Sequence, residues 1–181
     1  MQKPATRTAR IPVAVVSGFL GAGKTTLVCN LLADARRRGL RLAVVSNEFG
    51  ALGIDQALLA GSDATPGYVE LAGGCVCCQL SNDLLDTLQQ LRDEVDPDCI
   101  VVETSGVALP SETLIAVYRD PVRSWVADDI GVVVVNAEQV RDGRDMEGTF
   151  EDQLTSADVI VLNKIDLVTP EELAAVESRL R

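Results

Sequence analysis

Ile11-Pro-Val-Ala-Val-Val-Ser-Gly18-Phe-Leu-Gly21-Ala22-Gly23-Lys24-Thr25-Thr26 joins an apolar, β-branched run to a glycine-rich turn and then to a helix-forming run. The opening run has the composition of a strand buried on both faces of a parallel sheet. From Gly18 to Thr25 the spacing is G-x-x-x-x-G-K-T. Between a strand and a helix, this spacing lets the N–H groups of a tight turn converge on phosphate oxygens, with the positive end of the helix behind them. Gly18, Gly21, Ala22, Gly23, Lys24, Thr25 and Thr26 are therefore candidate phosphate-binding positions. Lys24 is placed to reach β- and γ-phosphates and Thr25 to offer its hydroxyl to Mg²⁺. The alternative, a chance glycine-rich turn, does not explain why a strand precedes the pattern and a helix follows it.

Further apolar runs extend outward from this stretch: Leu40 to Ser46, Cys99 to Glu103, Gly131 to Asn136 and Val159 to Asn163. Helix-like segments separate them at Lys24 to Arg38, Ser81 to Asp93, Pro110 to Tyr118 and from near Glu147 to Asp158. In the second of these, Ser81 is a candidate N-cap, and Leu84, Leu85, Leu88 and Leu91 form one apolar stripe. Alternating strands and helices predict an α/β fold with a doubly wound, mostly parallel sheet and ligands at the C-terminal strand ends. Together with the phosphate loop, this is a P-loop NTPase. Residues 11–181 read as one such domain behind a basic, polar tail at 1–10. The ending PEELAAVESRLR can open a helix at Pro170 with Glu171 and Glu172 in its first turn. Nothing follows to pack that helix, so the sequence reads as truncated.

The 181 residues suffice for one core without disulfides. A net charge of −11, from 16 basic and 27 acidic residues, argues against nucleic-acid and membrane-surface partners. The N-terminus has no signal-type apolar core, and no apolar run reaches the length of a membrane span, about 18 residues. A soluble cytoplasmic protein is expected. Three of the five cysteines crowd into Cys75, Cys77 and Cys78, unlike a spaced disulfide framework. The chain contains no histidine, so metal binding must use thiolate or oxygen and histidine triads are excluded.

Glu103, directly after a buried run and before Thr104-Ser105-Gly106, stands where this fold needs a carboxylate near Mg²⁺, usually through a bound water. An ordinary strand-terminal carboxylate is the alternative. Gly106 would let the backbone approach the γ-phosphate. Ser46-Asn47-Glu48-Phe49-Gly50 leaves the second strand at the same edge, where a loop can sense γ-phosphate and Mg²⁺. There Glu48 either holds a metal-bound or attacking water or is a solvated turn residue. No Gln or His follows Glu103 to position water, so slow intrinsic turnover is expected. Asn163-Lys164-Ile165-Asp166 follows the last strand. An Asp there accepts from guanine's ring N–H and amine, Asn163 braces the loop and the Lys164 stem covers the base, which favours GTP over ATP.

Glu70-Leu-Ala-Gly-Gly-Cys75-Val-Cys77-Cys78 places three thiols within four positions behind two glycines. Thiolates suit Zn²⁺, with Co²⁺ or Fe²⁺ as alternatives, and three protein sulfurs leave one coordination position open. Cys75 to Cys78 is also a C-x-x-C, so a redox role stands beside the metal reading, as does a purely structural one. Cys29 and Cys99 read as small core residues.

Taken together, GFLGAGKTTL, NEFGALGID, ELAGGCVCC, ETSG and NKIDL resemble the CobW-like metallochaperone GTPases, relatives of the urease and hydrogenase maturation GTPases. They cover roughly residues 18–167 in the family's order. The resemblance implies a GTPase that binds a transition metal at its C-x-C-C motif and hands it to a client metalloprotein, with a nucleotide-dependent dimer as a further partner state. Members usually continue beyond NKID with another strand and helix and a separate C-terminal domain. Ala51 stands where relatives often carry an acid, and Asn136 where an Asp commonly follows the strand. Two other readings are a thiol redox sensor with a nucleotide switch and a small-molecule phosphotransferase, the latter disfavoured by NKID.

Overall fold

A computed structural model describes residues 10–46, 68–70, 80–144 and 146–181, with the backbone alone for 68–70 and 80–83. The strands are β1 (Ile11–Ser17), β2 (Leu42–Ser46), β3 (Tyr68–Glu70), β4 (Cys99–Glu103), β5 (Val126–Asn136) and β6 (Val159–Asn163). The helices are α1 (Lys24–Arg37), α2 (Leu80–Glu94), α3 (Pro110–Val117), α4 (Ala137–Asp142), α5 (Thr149–Thr155) and α6 (Pro170–Leu180). Short 3₁₀ turns fall at Val122–Ser124 and Ile165–Leu167. The strands form one sheet in the order β3-β2-β4-β1-β5-β6, and every neighbouring pair is parallel. This is the doubly wound α/β sheet expected from the alternating runs.

The two-residue side-chain period sorts each strand between two cores. Val13 and Val15 of β1, Ala43 and Val45 of β2 and Ile100 and Val102 of β4 pack with the α2 stripe Leu84, Leu85, Leu88 and Leu91. Their neighbours Val16, Val44 and Val101 face the other way, against Val28 and Leu32 of α1. Fully burying a side chain of this size is worth about 1.5–3 kcal/mol, so β1, β2 and β4 anchor the sheet. A third cluster, Val133, Val135, Val140, Phe150 and Val176, covers the β5 side.

Several elements differ from the sequence reading. Ser81 lies inside α2, which starts at Leu80, so it is not the N-cap. β5 begins at Val126, five residues before Gly131. Its upstream half, Val126-Ala-Asp-Asp-Ile, carries exposed Asp128, and the pairing with β1 shifts between Ile11 and Val13. An irregular, partly solvated half-strand has neither a continuous apolar run nor clean alternation, which is why it gave no signal. β3 is an edge strand of three residues, too short for periodicity. α4 has only six residues and is capped by Asn136, whose Oδ1 accepts from Glu138 N at 3.0 Å.

The final helix forms as expected and carries a full capping box between Thr169 and Glu172. It is also packed. Val176 is buried beside Val140 and Leu180 lies against the same cluster, while Arg179 Nη1 donates to Val140 O at 3.0 Å.

Candidate functional site

All six described strands run the same way, so their C-terminal ends lie along one edge of the sheet. Register then decides which side chains meet there. Glu103 pairs with Val16 on one side and Ser46 on the other. By the period of two, Glu103 shares a face with Val101, and Ser46 shares one with Val44, which is the face α1 covers. Thr25, in the first turn of α1, completes the contact. Its Oγ1 donates to Glu103 Oε1 at 2.6 Å, and Ser46 Oγ donates to Oε2 at 3.4 Å. Glu103 is 1% exposed, so its charge is held by hydroxyl donors away from water.

The loop from Gly18 to Gly23 curls over this cluster, with positive φ at Gly18, Gly21 and Gly23. At Gly23 the requirement is double. Its φ is 103°, and a Cβ would stand 2.2 Å from Asn163 Nδ2. That amide donates to Ala22 O at 2.8 Å, so the last strand's Asn163 braces the glycine loop directly. Lys24 is buried, its Nζ donating to Gly18 O at 2.9 Å and to Phe19 O at 3.5 Å. Gly23 caps α1 without a side-chain bond, and the first turn of α1 holds no acid. By contrast, α3, α4, α5 and α6 each carry an acidic residue there. Among the described residues no acidic side chain opposes the partial positive charge at the start of α1, which suits an external anion.

Beyond Glu103, Gly106 packs against the glycine loop, where a Cβ would stand 3.0 Å from Leu20 N. On the far side Lys164 adopts a left-handed φ of 57°, which turns the chain into the 3₁₀ segment carrying exposed Asp166. Arg141 Nη1 donates to Leu167 O at 3.1 Å and anchors the end of that segment. Lys24, Thr25, Glu103, Gly106 and Asn163 are thereby brought together, with Lys164 and Asp166 at the rim. Glu48, Cys75, Cys77 and Cys78, together with tail residues 1–9, lie outside the described residues.

Sequence reasoning passed over Ser46, Ser17, Gln153 and Arg141. Ser17 Oγ donates to Ala108 O at 2.6 Å, and Gln153 Nε2 donates to Gly106 O and Ala108 O. A glutamine in register with Phe150 on the buried side of an apolar stripe was the available signal for one of them. Cys29 and Cys99 are half-buried rather than core residues. Burial pushes both thiols above their ordinary range, helped at Cys29 by the nearby Glu103 charge and opposed at Cys99 by a weak backbone bond. Among the described residues neither belongs to a group of three or more His, Cys, Asp or Glu side chains that could hold a metal ion.

A parallel sheet with a glycine loop before α1 and a buried hydroxyl and carboxylate cluster beneath it defines a P-loop nucleotide-binding domain. Residues 12–181 match the family described as CobW/HypB/UreG, nucleotide-binding domain, and the chain belongs to that family. It is 41% identical over 199 residues to a zinc chaperone CobW of Sinorhizobium, covering 94% of this chain and 55% of that protein. A zinc-regulated GTPase metalloprotein activator 1 of Dictyostelium discoideum is 31% identical over 208 residues, covering 95% of this chain and 43% of that protein. Among solved structures, the zinc-bound YjiA GTPase of Escherichia coli superposes with a TM-score of 0.65 at 26% identity, over 94% of this chain and 54% of that one. The chain spans about half the length of the curated relatives it matches. No described helix is long and apolar enough to cross a membrane.

Proposed function

We propose that this chain is the nucleotide-hydrolysing part of a metal carrier. It binds GTP with Mg²⁺, hydrolyses GTP to GDP and phosphate, and couples that cycle to a transition metal held at Cys75, Cys77 and Cys78 and passed to a client metalloprotein in the cytoplasm. The observation that carries the reading is the cluster of half-buried Thr25 with buried Glu103 and Ser46 under the glycine loop, in a chain of this family. Relatives named as zinc chaperones favour zinc over cobalt or iron as the cargo.

Two hydroxyls and a carboxylate form a hard oxygen donor set, which fits Mg²⁺ and would hold it directly through Thr25 and through water at Glu103. When bound, Mg²⁺ neutralises charge on the β- and γ-phosphates. The protein's own groups do the rest. N–H groups of the glycine loop and the first turn of α1, at Gly18, Gly21, Ala22, Gly23, Lys24, Thr25 and Thr26, cradle the phosphates. Lys24 moves from its loop carbonyls to their oxygens, a shift between acceptors close at hand. Gly106 allows close approach to the γ-phosphate, and Glu48 orients water. Asp166 accepts from guanine, with Lys164 over the base and Asn163 holding the loop to Ala22. The three clustered cysteines are the thiolate donors, and they release their protons when the metal binds.

The deciding experiment is a metal titration of reduced, anaerobically purified protein loaded with GDP or with a non-hydrolysable GTP analogue, repeated with Cys77→Ala. Coupling predicts that metal affinity differs between the nucleotide states by roughly 5–150-fold, the usual range for linked sites. Identical affinities would remove the carrier mechanism, and no bound metal at all would favour the thiol sensor. Lys24→Ala should lower turnover by about 100-fold or more.

A further inference from the structure

α5 buries two side chains, Phe150 and Gln153, each less than 2% exposed. A leucine would fill the second position at lower cost, since a buried amide must be fully hydrogen-bonded to be neutral for stability. Gln153 is only partly so. Its Nε2 donates to Gly106 O at 3.1 Å and to Ala108 O at 3.0 Å, while Oε1 is buried with no partner among the described residues. The orientation is forced, because a flipped amide would set its oxygen against two carbonyl oxygens. The residue therefore earns its place through what the donating end holds.

What it holds is the segment after Glu103. Ala108 O also accepts from Ser17 Oγ at 2.6 Å, and Ser17 immediately precedes the glycine loop. Gly106 rests on Leu20 of that loop. The 104–109 segment is thus pinned from α5, from the end of β1, where Thr104 N also donates to Val16 O at 3.0 Å, and by the loop itself, and Gln153 takes the carbonyls of Gly106 and Ala108 rather than any N–H of the segment. From Gln153 the chain runs through Asp158, whose carboxylate accepts from Gly131 N at 2.7 Å, into β6 and on to Asn163, the brace of Ala22.

We infer that Gln153 is a positioning residue that sets the 104–109 segment at the height of a third phosphate, so that the site distinguishes triphosphate from diphosphate. The inference rests on the GTP reading above. Gly106 packs on Leu20 of the glycine loop, and in the GTP reading it is the residue that approaches the γ-phosphate, so holding its segment favours a triphosphate over a diphosphate.

The test uses the full chain with Mg²⁺ and fluorescent GDP or a non-hydrolysable GTP analogue, with thermal unfolding measured alongside. Gln153→Met keeps the volume and removes the donor, and Ser17→Ala removes the second hold on Ala108 without opening the core. Loss of about one net hydrogen bond's worth of positioning should weaken the GTP analogue about tenfold in Gln153→Met and leave GDP within about twofold. Ser17→Ala should shift the ratio in the same direction by less. Equal losses for both nucleotides, or an unchanged ratio in both variants, would overturn the assignment. Should Gln153→Met fail to fold, Ser17→Ala decides alone, and an unchanged ratio there refutes it. A wild-type chain that binds neither guanine nucleotide would instead remove the reading on which the inference stands.

Discussion

Thr25 and Glu103 are 78 residues apart in the chain, yet the hydroxyl of one donates to the carboxylate of the other at 2.6 Å in a part-buried setting. The bond joins the helix that follows the glycine loop to the strand that carries the acid, so either partner reports on both. Thr25→Ala removes one donor to this carboxylate and should destabilise the nucleotide-free protein by about 1–3 kcal/mol. Urea unfolding measures this. Glu103→Gln should keep most nucleotide affinity and lose turnover by a larger factor, and equal losses in both would assign Glu103 to holding Mg²⁺ in the ground state alone.

The Gly23 position tests how tightly the loop is fitted to the last strand. Gly23→Ala meets a positive φ and a Cβ site 2.2 Å from Asn163 Nδ2. Such a backbone position costs a non-glycine residue about 1–3 kcal/mol, before the displaced brace is added. Asn163→Ala removes only the bond to Ala22 O and should cost about 0.5–1.5 kcal/mol. Thermal unfolding of the two variants should rank them in that order, and a Gly23→Ala protein as stable as wild type would contradict the loop geometry.

Base selectivity is expected to reside at Asp166, which the 3₁₀ segment after Lys164 presents at the rim. Asp166→Ala should weaken GTP binding and leave ATP binding unchanged, because only the guanine edge loses its acceptor. Competition binding with both nucleotides checks this, and equal wild-type affinity for ATP and GTP would end the guanine assignment.

The Cys99 thiol gives a pH prediction. Burial, the larger cause, holds its pKa above the ordinary range, so the native state keeps the proton more tightly than the unfolded chain does. Its contribution to stability is therefore complete below the unfolded thiol's pKa, about 8.5, and is lost as pH rises beyond it. Cys99→Ala should flatten the fall in urea midpoint between neutral and strongly alkaline pH relative to wild type. An identical pH profile for the two proteins would show that Cys99 titrates alike in both states.

By itself the sequence determined the sheet strands that are apolar throughout, the phosphate loop and the strand-end motifs. Burial on both faces demands continuous β-branched runs, and a phosphate turn demands glycines at fixed spacing. Ile11–Ser17 and Cys99–Glu103 were legible to the residue for that reason, whereas the edge strand Val159–Asn163, only half-buried, was legible from its β-branched run alone. Elements whose stability comes from their neighbours left no such trace. The polar half of β5 is held by its pairing with β1, β3 by its pairing with β2, and α4 by the Asn136 cap and its packing on α6. The partners within the site were likewise a tertiary decision. Strand register sets Ser46 beside Glu103 on the face α1 covers, and only the fold carries Asn163 back to Ala22 and Gln153 to Gly106. A one-dimensional pattern fixes which residues can serve a chemistry, whereas hydrogen-bond partners 47 to 141 positions apart are chosen by how strands and helices pack.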